Sequence, residues 1–236
     1  MKYCVLVLAI GDLHYKNDSI EILKHYFKKH SIPAVFLHKV PRHINTCDTH
    51  PSWLKMLAHS IIPGFDYIIC WDLDLLPRDP DVEVIKDFTT DKINIAWDSH
   101  AKNKPEERIH PCFKYNGGLI GIPKEYAGFC LGIFEQYAPG KLPSYEQYYL
   151  NGEIENQKIE INELPADINV FPPFQEFYTA RLQHYTYAKD AKERIKDHKK
   201  KYFDSLDVKE KMSTFLDKYV LNENLKRYLE INPLNK

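Results

Sequence analysis

The chain has 236 residues, 44% of them hydrophobic, and a formal net charge of -1. That length supports one substantial α/β core, or a core with an appendage, and the balanced charge leaves no global basic field for nucleic acid. Five cysteines, an odd number without paired spacing, point to a reducing compartment and away from a disulfide framework.

The opening stretch, MKYCVLVLAIGD, has one Lys before a short apolar run, no small-residue cleavage site, and continues directly into GDLHYKND. It reads as a buried first strand, Tyr3–Ile10, in preference to a signal peptide. No run approaches the length of a membrane span, so the expectation is a soluble, cytoplasmic protein. Asp18, with Glu21 three residues on, predicts a helix N-cap, and Ile20, Leu23 and Phe27 then recur at helical spacing. Ala34–His38 is a second strand, and Pro51 opens a second helix carrying Trp53, Leu54, Leu57 and Ile61. Asp66–Trp71 and Ile93–Trp97 are the third and fourth strands. This β-α-β-α-β order predicts a mostly parallel central sheet flanked by helices. Ligands of such sheets gather beyond the carboxyl ends of the strands. Gly11-Asp12, Asp72, Asp74 and Asp98 all fall at that edge.

Residues 99–113 are polar and punctuated by proline, which predicts a loop beside the ligand edge. KYNGGLIGIP follows as a strand interrupted by Gly117-Gly118, and Pro123 starts a helix that runs through Tyr137. SYEQYYLN begins another helix, and IEINELPADINVFPP gives a strand and a proline-rich crossing segment. From Lys189 onward the chain is Lys-rich and helical in character. The expected division is a main domain over 1–188 and a helical C-terminal extension over 189–236.

Asp72 and Asp74, in YIICWDLDLLP, leave a buried strand one residue apart and point to the same side of an extended segment. They are either two surface acids at a strand exit or paired hard ligands for Mn²⁺ or Mg²⁺. A lone His is usually structural; His184, about a hundred residues later, would complete an O,O,N metal set with the two aspartates. Asn116-Gly117-Gly118 is either a bulged core strand or a place where a sugar or phosphate approaches the backbone. Glu146-Gln147 can be a plain helix start, or a carboxylate and an amide facing a reacting sugar carbon. Asp98 has the same two readings, an Asx turn or a sugar contact. The Lys-rich tail reads as a solvated helix face, because Asp190, Glu193 and Asp197 interleave the bases, with a weak contact to an anionic membrane surface as the other reading.

In order and spacing these pieces resemble the GT-A-type nucleotide-sugar glycosyltransferases, most nearly those with the galactosyltransferase- and glycogenin-like layout. VLVLAIGDLHY looks like the nucleotide-binding end of the first strand, YIICWDLDLL like the D-x-D strand, and KYNGGLIGIP like the strand beneath the donor sugar. SYEQYYLN followed by ELPADINVFPP is similar to the acidic-Gln helix and Leu-Pro…Asn segment, and QHYT stands where the late metal-binding His is found. The resemblance implies a single Rossmann-like GT-A domain. It further implies that Asp72, Asp74 and His184 bind Mn²⁺ (or Mg²⁺), which holds the diphosphate of a nucleotide sugar, with a UDP-sugar the expected donor. Ala9, Gly11, Asp12 and Tyr15 would lie against the nucleotide, with Asp98, Asn116 and Gly117 at the donor sugar and Glu146 or Gln147 at the reacting carbon. The acceptor would be a hydroxyl of a glycan or related molecule. The Gly and Lys-Pro-Trp that usually follow the late His are replaced by TYAKDAK, where Lys189 is the candidate diphosphate contact.

Two alternatives stand beside this expectation. Haloacid-dehalogenase-like phosphatases also place D-x-D after a hydrophobic strand, but usually near the N-terminus and with Thr or Val two residues on. Here Leu76 occupies that place and two βα units precede the pair. The other alternative is a non-catalytic nucleotide-sugar-binding module that keeps the fold.

Overall fold

The structure, a computed structural model, describes residues 2–44, 49–98, 114–138, 146–172, 175–185 and 190–219. A six-stranded sheet of order β2-β1-β3-β6-β5-β7 forms its centre. The strands are β1 (Tyr3–Leu8), β2 (Ala34–Leu37), β3 (Tyr67–Trp71), β5 (Ile93–Trp97), β6 (Tyr115–Pro123) and β7 (Ile161–Leu164). A short β4 (Leu75–Pro77) pairs with β8 (Leu182–His184) as a separate antiparallel ribbon.

β1 pairs in parallel with β2 and β3, and β5 in parallel with β7. β6 runs antiparallel to both β3 and β5, between which it is inserted. The sheet is therefore mostly parallel, as the β-α-β order predicts, with one reversed strand. β3 and β6 are buried along their whole length, which suits continuous apolar runs in strands covered on both faces.

Alternation along the strands divides the core into two layers. Val5, Val7, Ile69 and Trp71 face helix α1 (Lys16–Lys29), packing with its Ile22, Leu23, Tyr26 and Phe27. Leu6, Ile68 and Cys70 face the opposite side. There they meet a 3₁₀ helix over Pro51–Leu57, the short α2 (Ala58–Ile61), α3 (Ala127–Tyr137) and α4 (Glu146–Asn156). The helix predicted after Pro51 is thus mostly 3₁₀, opened by His50, whose Nδ1 accepts from the Ser52 N–H. α1 starts at Lys16, two residues before the predicted cap Asp18, and has no side-chain cap bond. Asp18 lies inside its first turn, where the helix dipole favours an acid, and its carboxylate accepts from Lys199 Nζ at 2.9 Å.

That lysine belongs to α5 (Ala191–Tyr219), which lies against α1. Ile195 and Tyr202 of α5 are fully buried in the same cluster as β1 and β3. The Tyr202 hydroxyl is 3.1 Å from His25 Nδ1. His198 donates from Nε2 to the Pro77 carbonyl (2.9 Å), and its Nδ1 is 2.8 Å from the Tyr185 hydroxyl. On the outer side, Lys200 pairs with Asp204 at 2.6 Å, the interleaving expected of a solvated face. Among the described residues no helix is long and apolar enough to cross a membrane.

Two predictions follow from the docking of α5. Tyr202→Ala is expected to cost about 3–5 kcal/mol, as for other large aromatic truncations, in one transition shared with the sheet; a second, independent transition in a thermal melt would contradict this. Burial pushes the His198 imidazole down to about 4 from its ordinary 6.5. The unfolded chain then binds more protons between those values, so the stability held by neutral His198 is complete above about pH 6.5 and lost as pH falls toward 4. Urea unfolding at both ends of that window should show wild type losing up to about 3 kcal/mol more than His198→Asn.

Candidate active site

β3 ends at Trp71, whose indole N–H donates to the Leu75 carbonyl at 2.7 Å. The Leu75 N–H returns to the Asp72 carbonyl at 3.1 Å, and the Asp72 N–H donates to the Gly118 carbonyl at 2.8 Å. This tight turn presents both aspartates beyond the carboxyl end of the parallel strands. The β4–β8 ribbon then sets Leu75 opposite His184. His184 Nε2 lies 3.2 Å from Asp74 Oδ1 and 4.0 Å from Asp72 Oδ2. One ligand atom from each of the three residues fits within 4.8 Å of the others, so the group could hold a metal ion.

The donor set suits the hard divalent cation expected there. His184 is buried, while the Asp72 and Asp74 side chains keep 27% and 17% exposure, leaving the triangle open on the aspartate side. Asp74 is held below the ordinary carboxylate range by His184 in spite of its burial, whereas burial pushes Asp72 up against the pull of Lys55. Close carboxylates that split in this way are relieved by positive charge between them. Two carboxylate oxygens and an imidazole nitrogen are ligands that Mn²⁺ and Mg²⁺ sites use.

Lys55 was not identified from sequence. Its side chain is 3% exposed, and Nζ makes contacts of 2.6 Å to Asp72 Oδ1, 3.0 Å to Glu146 Oε1 and 2.7 Å to the Gly117 carbonyl. Burial alone would push the ammonium down; the two carboxylates more than offset it, and the group stays above its ordinary value. The signal was present: a lone cation inside Trp53-Leu54-Lys55-Met56-Leu57, the apolar run of a buried helix. Glu146, at the start of α4, is 1% exposed, and its Oε2 is buried without a hydrogen-bond partner.

The register of β5 on β6 breaks between Ile95 and Ala96, which pair with Ile120 and Asn116, so Gly117-Gly118 lies in the bulge that the glycines predict. A Cβ at Gly118 would stand 2.5 Å from Cε1 of His184, and one at Gly117 would stand 2.9 Å from Glu146 Oε1. The glycines thus make room for the protein's own side chains. Asn116 Oδ1 accepts from the Gly118 N–H and from Asn169 Nδ2, both at 2.7 Å. Asn116 Nδ2 lies 3.1 Å from Gln147 Oε1 and 3.4 Å from Asp98 Oδ2. Gln147 Oε1 also accepts from the Gly117 N–H at 2.9 Å. Asn169, the Asn of the Leu-Pro…Asn segment, to which the sequence assigned no role, continues this row with Oδ1 at 2.5 Å from His184 Nδ1.

The remaining expected residues fall at the end of β1. Ala9 is fully buried and its N–H donates to the Leu37 carbonyl at 2.9 Å. Gly11 has φ +92° and open space around it, so backbone conformation accounts for this glycine. Asp12 is exposed. Tyr15 sits close enough to the aspartates that, after burial, the charges of Asp74 and Asp72 raise its phenol. Lys189 lies outside the described residues.

No family model matches the sequence, and no curated protein sequence matches it. Solved structures do. A glycosyltransferase involved in glycosylation of the major capsid of PBCV-1 superposes with TM-score 0.60 at 13% identity, covering 84% of this chain and 98% of that one. The galactosyltransferase LgtC, in complex with donor and acceptor sugar analogues, gives TM-score 0.51 at 12% identity over 84% of this chain and 96% of its own. The apo form of the glycosyltransferase GlyE of Streptococcus pneumoniae TIGR4 gives 0.54 at 10% identity, covering 84% of this chain and 60% of that protein. The chain has the fold of the GT-A glycosyltransferases.

Proposed function

We infer that the protein is a metal-dependent glycosyltransferase, moving a sugar from a nucleotide donor, with UDP the expected nucleotide, to a hydroxyl of a glycan or related acceptor. The observation that carries this reading is the triangle of Asp72, Asp74 and His184 at the ligand edge of a GT-A sheet. Mn²⁺ or Mg²⁺ held by these three residues would offset the charge of the departing diphosphate.

The chain's own groups then divide the work of positioning. Lys55 occupies Asp72 Oδ1, which leaves Oδ2 turned toward His184 Nε2. The same ammonium holds Glu146 by Oε1. The orphaned Oε2 is the acceptor that a donor-sugar hydroxyl over Gly117 would satisfy. The Gly117 N–H fixes the Gln147 amide through its oxygen, so its NH₂ group is the part offered to the sugar. Asp98, beside Asn116, borders the same place. Tyr15, near the aspartates, and Gly11 and Asp12, which follow β1, are the residues against which the nucleotide would lie. Ile195 and Tyr202 tie the late Lys-rich helix to the body of the domain.

Incubation with a panel of sugar nucleotides and Mn²⁺, scored by donor hydrolysis, tests the reading without knowledge of the acceptor. The expected result is hydrolysis of a UDP-sugar that chelation abolishes. Asp72→Asn and Asp74→Asn should each lower it about a hundredfold or more, the equivalent of roughly 3 kcal/mol of lost charge stabilisation. Phosphate release from simple phosphomonoesters without a sugar nucleotide would replace the transferase by a phosphatase. Metal-independent UDP binding, unchanged in Asp74→Ala by calorimetry, would remove the metal role. Lys55→Met leaves the buried Glu146 carboxylate and the half-buried Asp72 carboxylate without their cation and should cost about 3–5 kcal/mol, or about 10 °C in Tm. Added Mn²⁺ should raise the Tm of this variant more than that of wild type.

A further inference from the structure

We propose that Asn169 is a positioning residue that keeps a hydrogen on Nδ1 of His184 and so reserves Nε2 for the metal. The inference rests on the metal reading above and extends it to the side chains behind the ligand.

Amides and imidazoles can each be turned round, so their roles must be fixed by groups with only one role. Two backbone N–H groups provide this. The Gly118 N–H can only donate, and it lies 2.7 Å from Asn116 Oδ1, which is therefore an oxygen. The Gly117 N–H donates to Gln147 Oε1 at 2.9 Å, and that oxygen then faces Asn116 Nδ2 at 3.1 Å. The two anchors agree on the orientation of Asn116. Its Oδ1 meets Asn169 at 2.7 Å, so Asn169 presents its NH₂ there. The Asn169 oxygen is left facing His184 Nδ1 at 2.5 Å, and a carbonyl oxygen only accepts. Nδ1 thus carries the hydrogen.

The consequence falls on the other ring nitrogen. In a neutral imidazole with Nδ1–H, the lone pair of Nε2 points at Asp74 Oδ1 (3.2 Å) and Asp72 Oδ2 (4.0 Å). In the imidazolium, Nε2 carries the second hydrogen. In both states Nδ1 stays protonated, and Nε2 is the atom that exchanges a hydrogen for a metal ion. Without the Asn169 oxygen, the Asp74 carboxylate would draw the single hydrogen of a neutral ring to Nε2, where it blocks coordination.

The backbone is arranged for this contact. Asn169 is fully buried with φ +70°, a conformation that Asn tolerates better than most side-chain residues. The next residue, Val170, accepts the His184 N–H at 2.9 Å and bridges Gln183, so residue 169 is held directly behind the ring. Gly118 completes the seat, because a Cβ there would occupy the place of His184 Cε1.

The test uses Asn169→Gly, which keeps the positive φ and removes the amide, and Asn169→Asp, which tolerates the backbone and keeps an oxygen for Nδ1–H. Two-bond ¹H–¹⁵N spectra of the His184 ring in the metal-free protein at pH 8 should show Nδ1–H in wild type and Asn169→Asp, and Nε2–H in Asn169→Gly. Calorimetric titration with Mn²⁺ should show binding about 10- to 100-fold weaker in Asn169→Gly, with at least tenfold recovered in Asn169→Asp. A bare Nδ1 in the wild-type protein overturns the proposal outright, and needs no variant to fold. So does an Asn169→Gly protein, melting within a few degrees of wild type, that keeps both the Nδ1–H and the Mn²⁺ affinity. Because the ring is read without metal or donor, failure of the sugar-nucleotide panel would remove the transferase reading and leave this result standing.

Discussion

A buried ammonium with three acceptors holds the centre of this protein together. Lys55 comes from the 3₁₀ helix, Asp72 from the turn after β3, Gly117 from β6 and Glu146 from the first turn of α4. Each of these segments could pack in its place by apolar contacts alone, but not with its polar groups in register. Taking a lysine out of water is costly, and only close, well-aligned anions make up for it. The arrangement is therefore intolerant of small displacements in any of the four segments. It also orients Asp72 so that one carboxylate oxygen is committed to the protein and the other is left for the site.

β6 is the strand that makes this possible. Running against its neighbours, it brings Asn116, Gly117 and Gly118 back to the edge where β3 ends, so that the two carboxylates and the glycine bulge face one another. The absent side chains admit Glu146 and His184 from outside the sheet. A row of amides, Gln147, Asn116 and Asn169, then leads from the start of α4 to His184 without a charged group in between.

Much of this was legible in the sequence, because apolar runs and their exits are local features. The strands of the parallel half, the two carboxylates leaving β3 and the glycine interruption in β6 all follow from patterns within about ten residues. The late histidine could be joined to the aspartates only through a resemblance in order along the chain. What stayed hidden depends on pairing across long separations. The reversal of β6, the β4–β8 ribbon and the docking of α5 on α1 have no local signature. Lys196 and Lys199 look alike in the sequence, yet Lys199 is the one committed to Asp18 and Glu21 of α1. Lys55 was overlooked, and Asn169 was noted in the Leu-Pro…Asn segment without a role, for a different reason. Both are polar residues inside apolar runs, where a period-based reading records a blemish in the pattern. In a buried segment such a blemish marks a group that must have partners.

The pairing of Leu75 with His184 joins residues more than a hundred positions apart. During synthesis, Asp72 and Asp74 leave the ribosome long before the strand that brings their third companion, and β1, α1, β2 and β3 can assemble around them in the meantime. Throughout that interval the nascent chain exposes a pair of like charges with no imidazole opposite. The triangle is complete only when β8 arrives, and α5 covers the ribbon through the contacts of His198 with Tyr185 and Pro77. The three side chains that could hold a metal ion come together only once β8 is in place, and a truncated product ending before β8 would carry the aspartates without the histidine.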